Sequence, residues 1–358
     1  MKILIATGLY PPEVGGPATY TKLLEDHLPA RGIQVRVMPF SKVRYLPWVL
    51  RHGMYVLKLL AASRGVEWIL AQDTVSVGLP SALASMILHK KFIVRVPGDY
   101  AWEQASQRFG IADTIGAFQH KRYGLRVEVL RRVQRFVVGR AHCVLVPSNY
   151  FGEVVSTWGV EKSRLKVVYN GVASSVPQAP AQEMKRPYML SAGRLVPWKG
   201  FSLFIQLLKS LPEWRLVIVG DGPDRARLEK LAQEEGVAER TTFAGPLPRE
   251  QVLGWIASAD AFVLNTSFES FSFQIVEAMQ VGAAVVATNI GSIPELIEDK
   301  KEGLLLTPND KHGFYTALIS TQTDQGVWQA RREAAKSKAG QFSIEKTVAQ
   351  LHHLLKDL

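Results

Sequence analysis

Twelve short apolar runs, rich in β-branched residues and each divided from the next by a helical pattern, constrain the fold of this chain more than any other feature. In the first half they fall at 2–7, 33–40, 68–71, 92–96, 143–146 and 165–168; in the second at 188–191, 215–219, 241–243, 261–264, 284–287 and 304–306. Between the first two, Tyr20, Leu23, Leu24, His27 and Leu28 recur at helical spacing, and Gly32 stops the pattern. Strand and helix in alternation build parallel sheets with helices on both faces, so the fold class is α/β. A chain of 358 residues exceeds what one core usually organises, and the two sets of six runs imply two domains. The expected boundaries are an N-terminal domain over 1–172 and a linker over 173–186, poor in large apolar residues. A second domain follows over 187–340, with a C-terminal helix over 341–358 that packs back on the first.

Composition narrows the setting. The single Cys143 excludes an intramolecular disulfide and fits a reducing compartment. The apolar stretch at the N-terminus is too short for a signal peptide, and no run reaches the ~18 apolar residues of a membrane span. The chain is expected to be soluble and cytoplasmic. Its net charge of +11 is unevenly placed: residues 1–175 hold 23 Lys+Arg against 11 Asp+Glu, and residues 176–358 hold 20 against 21. A basic half joined to a neutral one points to an anionic partner on one side only. No nucleic-acid signature accompanies the charge, so no nucleic-acid partner is expected.

Open parallel sheets bind ligands at the carboxyl ends of their strands, which directs attention to the loops there. In the first half, Gly15-Gly16-Pro17 leads into a helix, permitting close backbone approach and offering an anion site; a plain tight turn explains it equally. In the second half, Gly193-Arg194 and Lys199 follow a strand and supply two cations suited to phosphate oxygens. Gly220-Asp221-Gly222-Pro223 opens another helix but is not a complete dinucleotide fingerprint. Asn265 to Met279 then sets Glu269 and Glu277 eight positions apart around a helix start. Anion-binding groups beside carboxylates that need hydroxyl partners describe a nucleotide-sugar. The two glutamates alone would also serve as the acid/base pair of a hydrolase, because their spacing does not set their separation.

Taken in order, Gly15-Gly16-Pro17, Asn170-Gly171-Val172, Arg194 with Lys199, Gly220-Asp221-Gly222-Pro223, Glu269-x7-Glu277 and the stretch Gly282 to Thr288 resemble the family 4 glycosyltransferases over nearly the whole chain. The resemblance implies the GT-B fold, two Rossmann-like domains facing across a cleft, and retaining transfer from a nucleoside-diphosphate sugar, UDP- or GDP-linked, to a glycan or lipid-linked acceptor. It assigns Arg194 and Lys199 to the pyrophosphate, Glu269 to the donor sugar and Glu277 to the ribose hydroxyls. Backbone near Ser270, Phe271, Ser272 and Phe273 would approach phosphate or sugar; Gly193 belongs to the same phosphate loop. Gly220, Gly222, Gly245 and Leu247 would border the base, and Gly15 and Gly16 would face donor phosphate or acceptor. The donor is a substrate, so no cofactor is implied, and no metal-ligand set is visible. A noncatalytic nucleotide- or glycan-binding protein, or a GT-B sugar-nucleotide epimerase, remains open as an alternative.

The chain departs from the family pattern at three places. Positions 270 and 272, often Gly, are Ser; position 292, often Gly, is Ser beside Gly291. Where family members often carry a functional His after a central strand, this chain reads Val94-Arg95-Val96-Pro97-Gly98-Asp99, and Asp99 is the candidate for that polar role, against the plain reading of a capping Asp. The basic half adds a membrane expectation, held against simple solvation. A helix after Pro47 sets Val49, Leu50, Gly53, Val56, Leu57 and Leu60 on one face. Trp48, Arg51, His52, Tyr55, Lys58 and Leu59 fall on the other, a mixture suited to an anionic headgroup layer on the inner face of a membrane. The Arg-rich stretch 121–140 extends the basic surface, with Glu128 expected to pair with Arg132.

Overall fold

The computed structural model describes residues 1–13, 15–180 and 184–358, with backbone alone at Trp48 and Val49. The chain divides into two compact units: unit 1 is Met1–Gly171 with Ile344–Leu358, and unit 2 is Val172–Ser343.

Unit 1 holds six strands, β1 (Lys2–Thr7), β2 (Gln34–Pro39), β3 (Trp68–Ala71), β4 (Lys91–Arg95), β5 (Cys143–Val146) and β6 (Leu165–Val167). They form one parallel sheet in the order β2-β1-β3-β4-β5-β6. Its helices are α1 (Gly16–His27), α2 (Trp48–Ala62), α3 (Gly78–Leu88), α4 (Tyr100–Phe109), α5 (Ile115–His120), α6 (Leu125–Arg140) and α7 (Asn149–Ser156). Strands β3 and β5 are buried at every position, as their unbroken apolar sequences require when helices cover both faces.

Unit 2 repeats the plan with β7 (Tyr188–Ala192), β8 (Arg215–Val219), β9 (Thr241–Gly245), β10 (Ala261–Leu264), β11 (Val285–Thr288) and β12 (Leu304–Leu306), ordered β12-β11-β10-β7-β8-β9. Helices α8 (Phe201–Leu207), α9 (Arg225–Glu234), α10 (Arg249–Ser258), α11 (Phe273–Val281), α12 (Ile293–Leu296), α13 (Lys311–Thr323) and α14 (Gln325–Ala339) surround it. Strand order reverses between β7 and β10, which lie side by side, so the loops leaving their carboxyl ends diverge and open a crevice. A last helix, α15 (Ile344–Asp357), belongs to unit 1 and seats Val348, Leu351 and Leu355 in the core with Ile3, Ile5, Tyr20 and Leu23. All twelve expected strands form, with ends shifted by at most two residues.

Two local expectations are corrected. On α2, Tyr55 and Leu59 are fully buried while Leu50 and Leu57 face solvent, the reverse of the expected inward face. The helix is apolar on both sides, so spacing does not choose between them. Tyr55 decides it: the ring packs on Phe40 and its hydroxyl donates to the Met38 carbonyl at 2.6 Å. The assignments made to the Trp48 and Val49 side chains lie outside the described residues. Glu128 pairs with Arg131 at 2.9 Å rather than with Arg132, because Arg131 is buried and also ties α6 to the carbonyls of Phe118, Gln119 and Lys121. The segment expected as a linker belongs to unit 2 from Val172 onward, and it is held there: the Gln178 amide donates to the Glu250 carbonyl at 3.0 Å. Residues 181–183 of that segment lie outside the described residues.

Candidate active site

Unit 2 builds its site from backbone first. The loop after β7 runs through Gly193, Arg194, a short 3-10 turn over Pro197–Lys199, and Gly200 into α8. Its partner is the loop after β10, and the two are stitched directly. The Ser267 amide donates to the Trp198 carbonyl at 2.8 Å, the Thr266 hydroxyl reaches the same carbonyl, and Asn265 Nδ2 donates to the Gly200 carbonyl. Gly200 is in the left-handed region at φ 64°, and a Cβ there would fall 2.0 Å from the Asn265 carbonyl, so only Gly permits this approach. Asn265 also bonds Asn309 in both directions, fixing the segment that follows β12.

This stitching sets Lys199 against Glu269. The ammonium donates to Glu269 Oε1, and both side chains are nearly enclosed. The Glu269 backbone is gripped from a third loop: the Ser292 amide donates to its carbonyl at 3.0 Å, and a Cβ on Gly291 would lie 2.4 Å from that same oxygen. One Gly therefore suffices where the family often has two, and Ser292 supplies a backbone contact that needs no Gly. Burial pushes the Glu269 carboxyl above its ordinary range, while Lys199 pulls it back. An enclosed ion pair adds little stability by itself, since desolvation offsets the Coulombic gain; at a strand-order reversal, it is a candidate functional position. Arg194, five residues before Lys199, is exposed and meets no carboxylate among the described residues.

Helix α11 begins at this loop. Ser272, fully buried, caps it by accepting from the Ile275 amide, so the residue that departs from the family Gly serves as an N-cap. Phe271 and Phe273 pack edge to face, Phe271 also meets Phe342, and Ser270 is half-buried between Glu269 and these rings. One turn into α11, Glu277 is buried, and burial raises its carboxyl against the pull of Arg249. Arg249, the first residue of α10, was not identified from the sequence. Its Nε donates to Glu277 Oε1 at 2.7 Å, while its terminal nitrogens reach Ser175 Oγ and the Ala173 carbonyl, each at 2.6 Å. The signal available in the sequence was indirect: a carboxylate on the inner face of a helix needs a cation, and Arg249 follows the Pro248 that starts α10. An ionised carboxylate has about four acceptor positions, and Arg249 uses one, leaving room for two hydroxyls.

The glycine loops are joined to the same framework. The Gly193 amide donates to the Val219 carbonyl at 2.9 Å, and the Gly220 amide to the Gly245 carbonyl at 2.8 Å. A Cβ on Gly222 would meet the Leu195 carbonyl at 2.3 Å. Leu247 follows, half-buried. The loops after β7, β8, β9, β10 and β11 thus form one connected rim.

The remaining sequence candidates lie in unit 1. Gly15 precedes α1 and its carbonyl accepts from the Thr19 amide, while Gly16 and Pro17 form the first turn. Asp99 is buried, and Trp102, Gln119 and Gln134 of unit 1 bond it. Oδ1 accepts from the Trp102 amide at 3.0 Å and from Gln134 at 3.2 Å, and Oδ2 accepts from Gln119 at 2.9 Å. It is the N-cap of α4 and ties α5 and α6 to it. A hollow of about 10 Å³, the room of a single water, adjoins it beside Arg131, Arg135 and Trp158. Arg95, at the end of β4, donates to Gln72 and, at 2.7 Å, to Asn170, with its guanidinium 4.0 Å above the Tyr20 ring.

The comparisons with known proteins bear on the family and the fold. The family model "Glycosyltransferase Family 4" matches residues 14–176, and "Glycosyl transferases group 1" matches residues 175–341. This chain belongs to the family 4 glycosyltransferases. Among its relatives is a D-inositol 3-phosphate glycosyltransferase of Acidothermus cellulolyticus, 26% identical, with 96% of this chain and 86% of that protein covered. Another is the lipopolysaccharide core biosynthesis glycosyltransferase LpsE of Rhizobium meliloti, 32% identical over 44% of this chain and 46% of that protein. For several curated relatives, the match spans about half of their length. Anabaena HepE, solved with UDP and glucose, shares the GT-B fold at a TM-score of 0.81 and 20% identity, with both chains covered in full.

Proposed function

We propose that this family 4 glycosyltransferase moves a sugar with retention from a nucleoside-diphosphate sugar, UDP- or GDP-linked, to a glycan or lipid-linked acceptor. The observation that carries the reading is the enclosed Lys199–Glu269 pair beside Arg194, which is exposed and meets no carboxylate among the described residues, at the strand-order reversal of unit 2. In this reading Arg194 and Lys199 meet the pyrophosphate, whose charge grows as the bond from the anomeric carbon to phosphate oxygen breaks. Cations already in place stabilise that charge without reorganisation. Glu269 accepts from hydroxyls of the transferred sugar and aligns its anomeric carbon. Glu277 accepts from the ribose hydroxyls, and the rim at Gly220, Gly222, Gly245 and Leu247 borders the base. The relatives named for transfer to an inositol phosphate and to a lipopolysaccharide core support a polyhydroxylated acceptor. HepE, solved with UDP and glucose, is consistent with a UDP-linked donor. A cytoplasmic location with peripheral contact on the inner face of a membrane belongs to the same proposal; among the described residues no helix is long and apolar enough to cross a membrane.

Incubation with UDP-, GDP- and ADP-sugars, with and without oligosaccharide and lipid-linked acceptors, tests this. Acceptor-dependent release of nucleoside diphosphate is expected. An isomerised donor would make the protein an epimerase, and binding without turnover would make it a binding protein; either overturns the reading.

A further inference from the structure

Helices α2 and α3 pack against one another on unit 1, and both turn large apolar side chains to solvent. On α2 these are Leu50, Met54 and Leu57, spaced to form one stripe; on α3 they are Leu83, Met86 and Ile87. Each of the six is between 37% and 60% exposed, although both helices bury a different face in the unit. Six large apolar side chains exposed on two helices that pack together mark a surface that something covers.

The charge around it selects the partner. No Asp or Glu occurs from residue 27 to residue 66 or from residue 74 to residue 98, so neither helix carries an acid. Arg51 and Lys58 flank the α2 stripe, Lys42 precedes the helix, and Arg64 follows it. At the end of α3 come His89 and Lys90. Lys42, Lys58 and Arg64 pair with no carboxylate among the described residues. A second copy of this chain on the same face would set these cations against their equals, with no acid to answer them. An anionic bilayer answers both features: apolar side chains enter the acyl boundary while Lys and Arg meet headgroup phosphates.

We propose that the outer face of α2 and α3 is a docking surface for an anionic lipid bilayer. It is distinct from the aromatic and cationic α2 face that the sequence suggested, whose Tyr55 is committed to the core. The proposal does not rest on the donor reading, because its readout is partition and not turnover.

Flotation of the full chain with phosphatidylcholine vesicles, with and without phosphatidylglycerol, tests it. Binding is expected with phosphatidylglycerol at low salt and should weaken as salt screens it. Each pair loses two apolar side chains from the bilayer, so Leu50→Glu/Leu57→Glu and Met86→Glu/Ile87→Glu should each lower partition at least about tenfold. Lys58→Ala/Arg64→Ala, which leaves the apolar face intact, should lower only the phosphatidylglycerol-dependent part. Val327→Glu, at an exposed apolar position of unit 2, should change nothing. Absence of flotation, flotation that both double glutamate variants retain, or a wild-type dimer in light scattering that Leu50→Glu/Leu57→Glu dissociates would each overturn the proposal.

Discussion

Arg249 holds Glu277 from behind: one nitrogen binds the carboxylate at 2.7 Å, while the other two grip Ser175 and Ala173 at 2.6 Å. A carboxylate on a helix face keeps several rotamers unless a partner selects one, and Arg249 selects it. Arg249→Ala should therefore raise the donor KM by about tenfold, the worth of an oriented charge-assisted hydrogen bond, with a smaller effect on kcat. Arg249→Lys, which keeps the charge and loses the fork, should recover only part. Comparing UDP with its 2′-deoxy analogue locates the effect: Glu277→Gln and Arg249→Ala should both narrow the difference in their binding.

The Lys199–Glu269 pair separates stability from function. Lys199→Met leaves a buried carboxylate unpaired and should cost about 3 kcal/mol, read by chemical denaturation. Adding Glu269→Gln removes that carboxylate, so the double variant should regain most of the stability. Turnover should stay low in both variants, because neither restores the cation at position 199.

The pH dependence follows from burial. Glu269 and Glu277 both titrate above the ordinary range of a glutamate, which centres near 4.3, so the acid limb of the donor kcat/KM should lie above that value. Lys199→Met should move it further upward. For stability the sign is opposite to that of a surface salt bridge. Carboxyls raised in the folded state contribute fully below their unfolded pKa, and the contribution is lost as pH rises through the folded value. Titrating denaturation of the wild type against Glu269→Gln and Glu277→Gln checks this: the variants should lose less stability over that rise.

Asp99 should prove to be a stability residue. Asp99→Ala removes an N-cap and leaves the amides of Gln119 and Gln134 without their acceptor, at a combined cost of about 2–3 kcal/mol. Thermal unfolding reads that loss, and the donor KM measured below the transition should not change.

What the sequence disclosed depended on how local the physics is. The strands were legible because a strand covered on both faces is a continuous apolar run, as in Cys143-Val144-Leu145-Val146 and Ala261-Phe262-Val263-Leu264. That Arg194, Lys199 and Glu269 lie on loops leaving the carboxyl ends of strands was legible from the alternation of strand and helix. Their partners were not: that Glu277 is met by Arg249, 28 positions earlier, depends on how α10 and α11 pack. The buried face of α2 was misread because apolar residues occupy both of its sides, and only the Tyr55 bond to Met38 breaks the tie. Asp99 was ambiguous because a capping Asp and a functional one share the same sequence.

Calorimetric titration with UDP-glucose and GDP-mannose, on the wild type and on Arg194→Ala and Glu277→Ala, tests the central claim most directly. The account predicts saturable binding of at least one nucleotide-sugar, weakened about tenfold or more by each substitution. Wild-type binding that both variants retain unchanged would contradict the donor site described for unit 2.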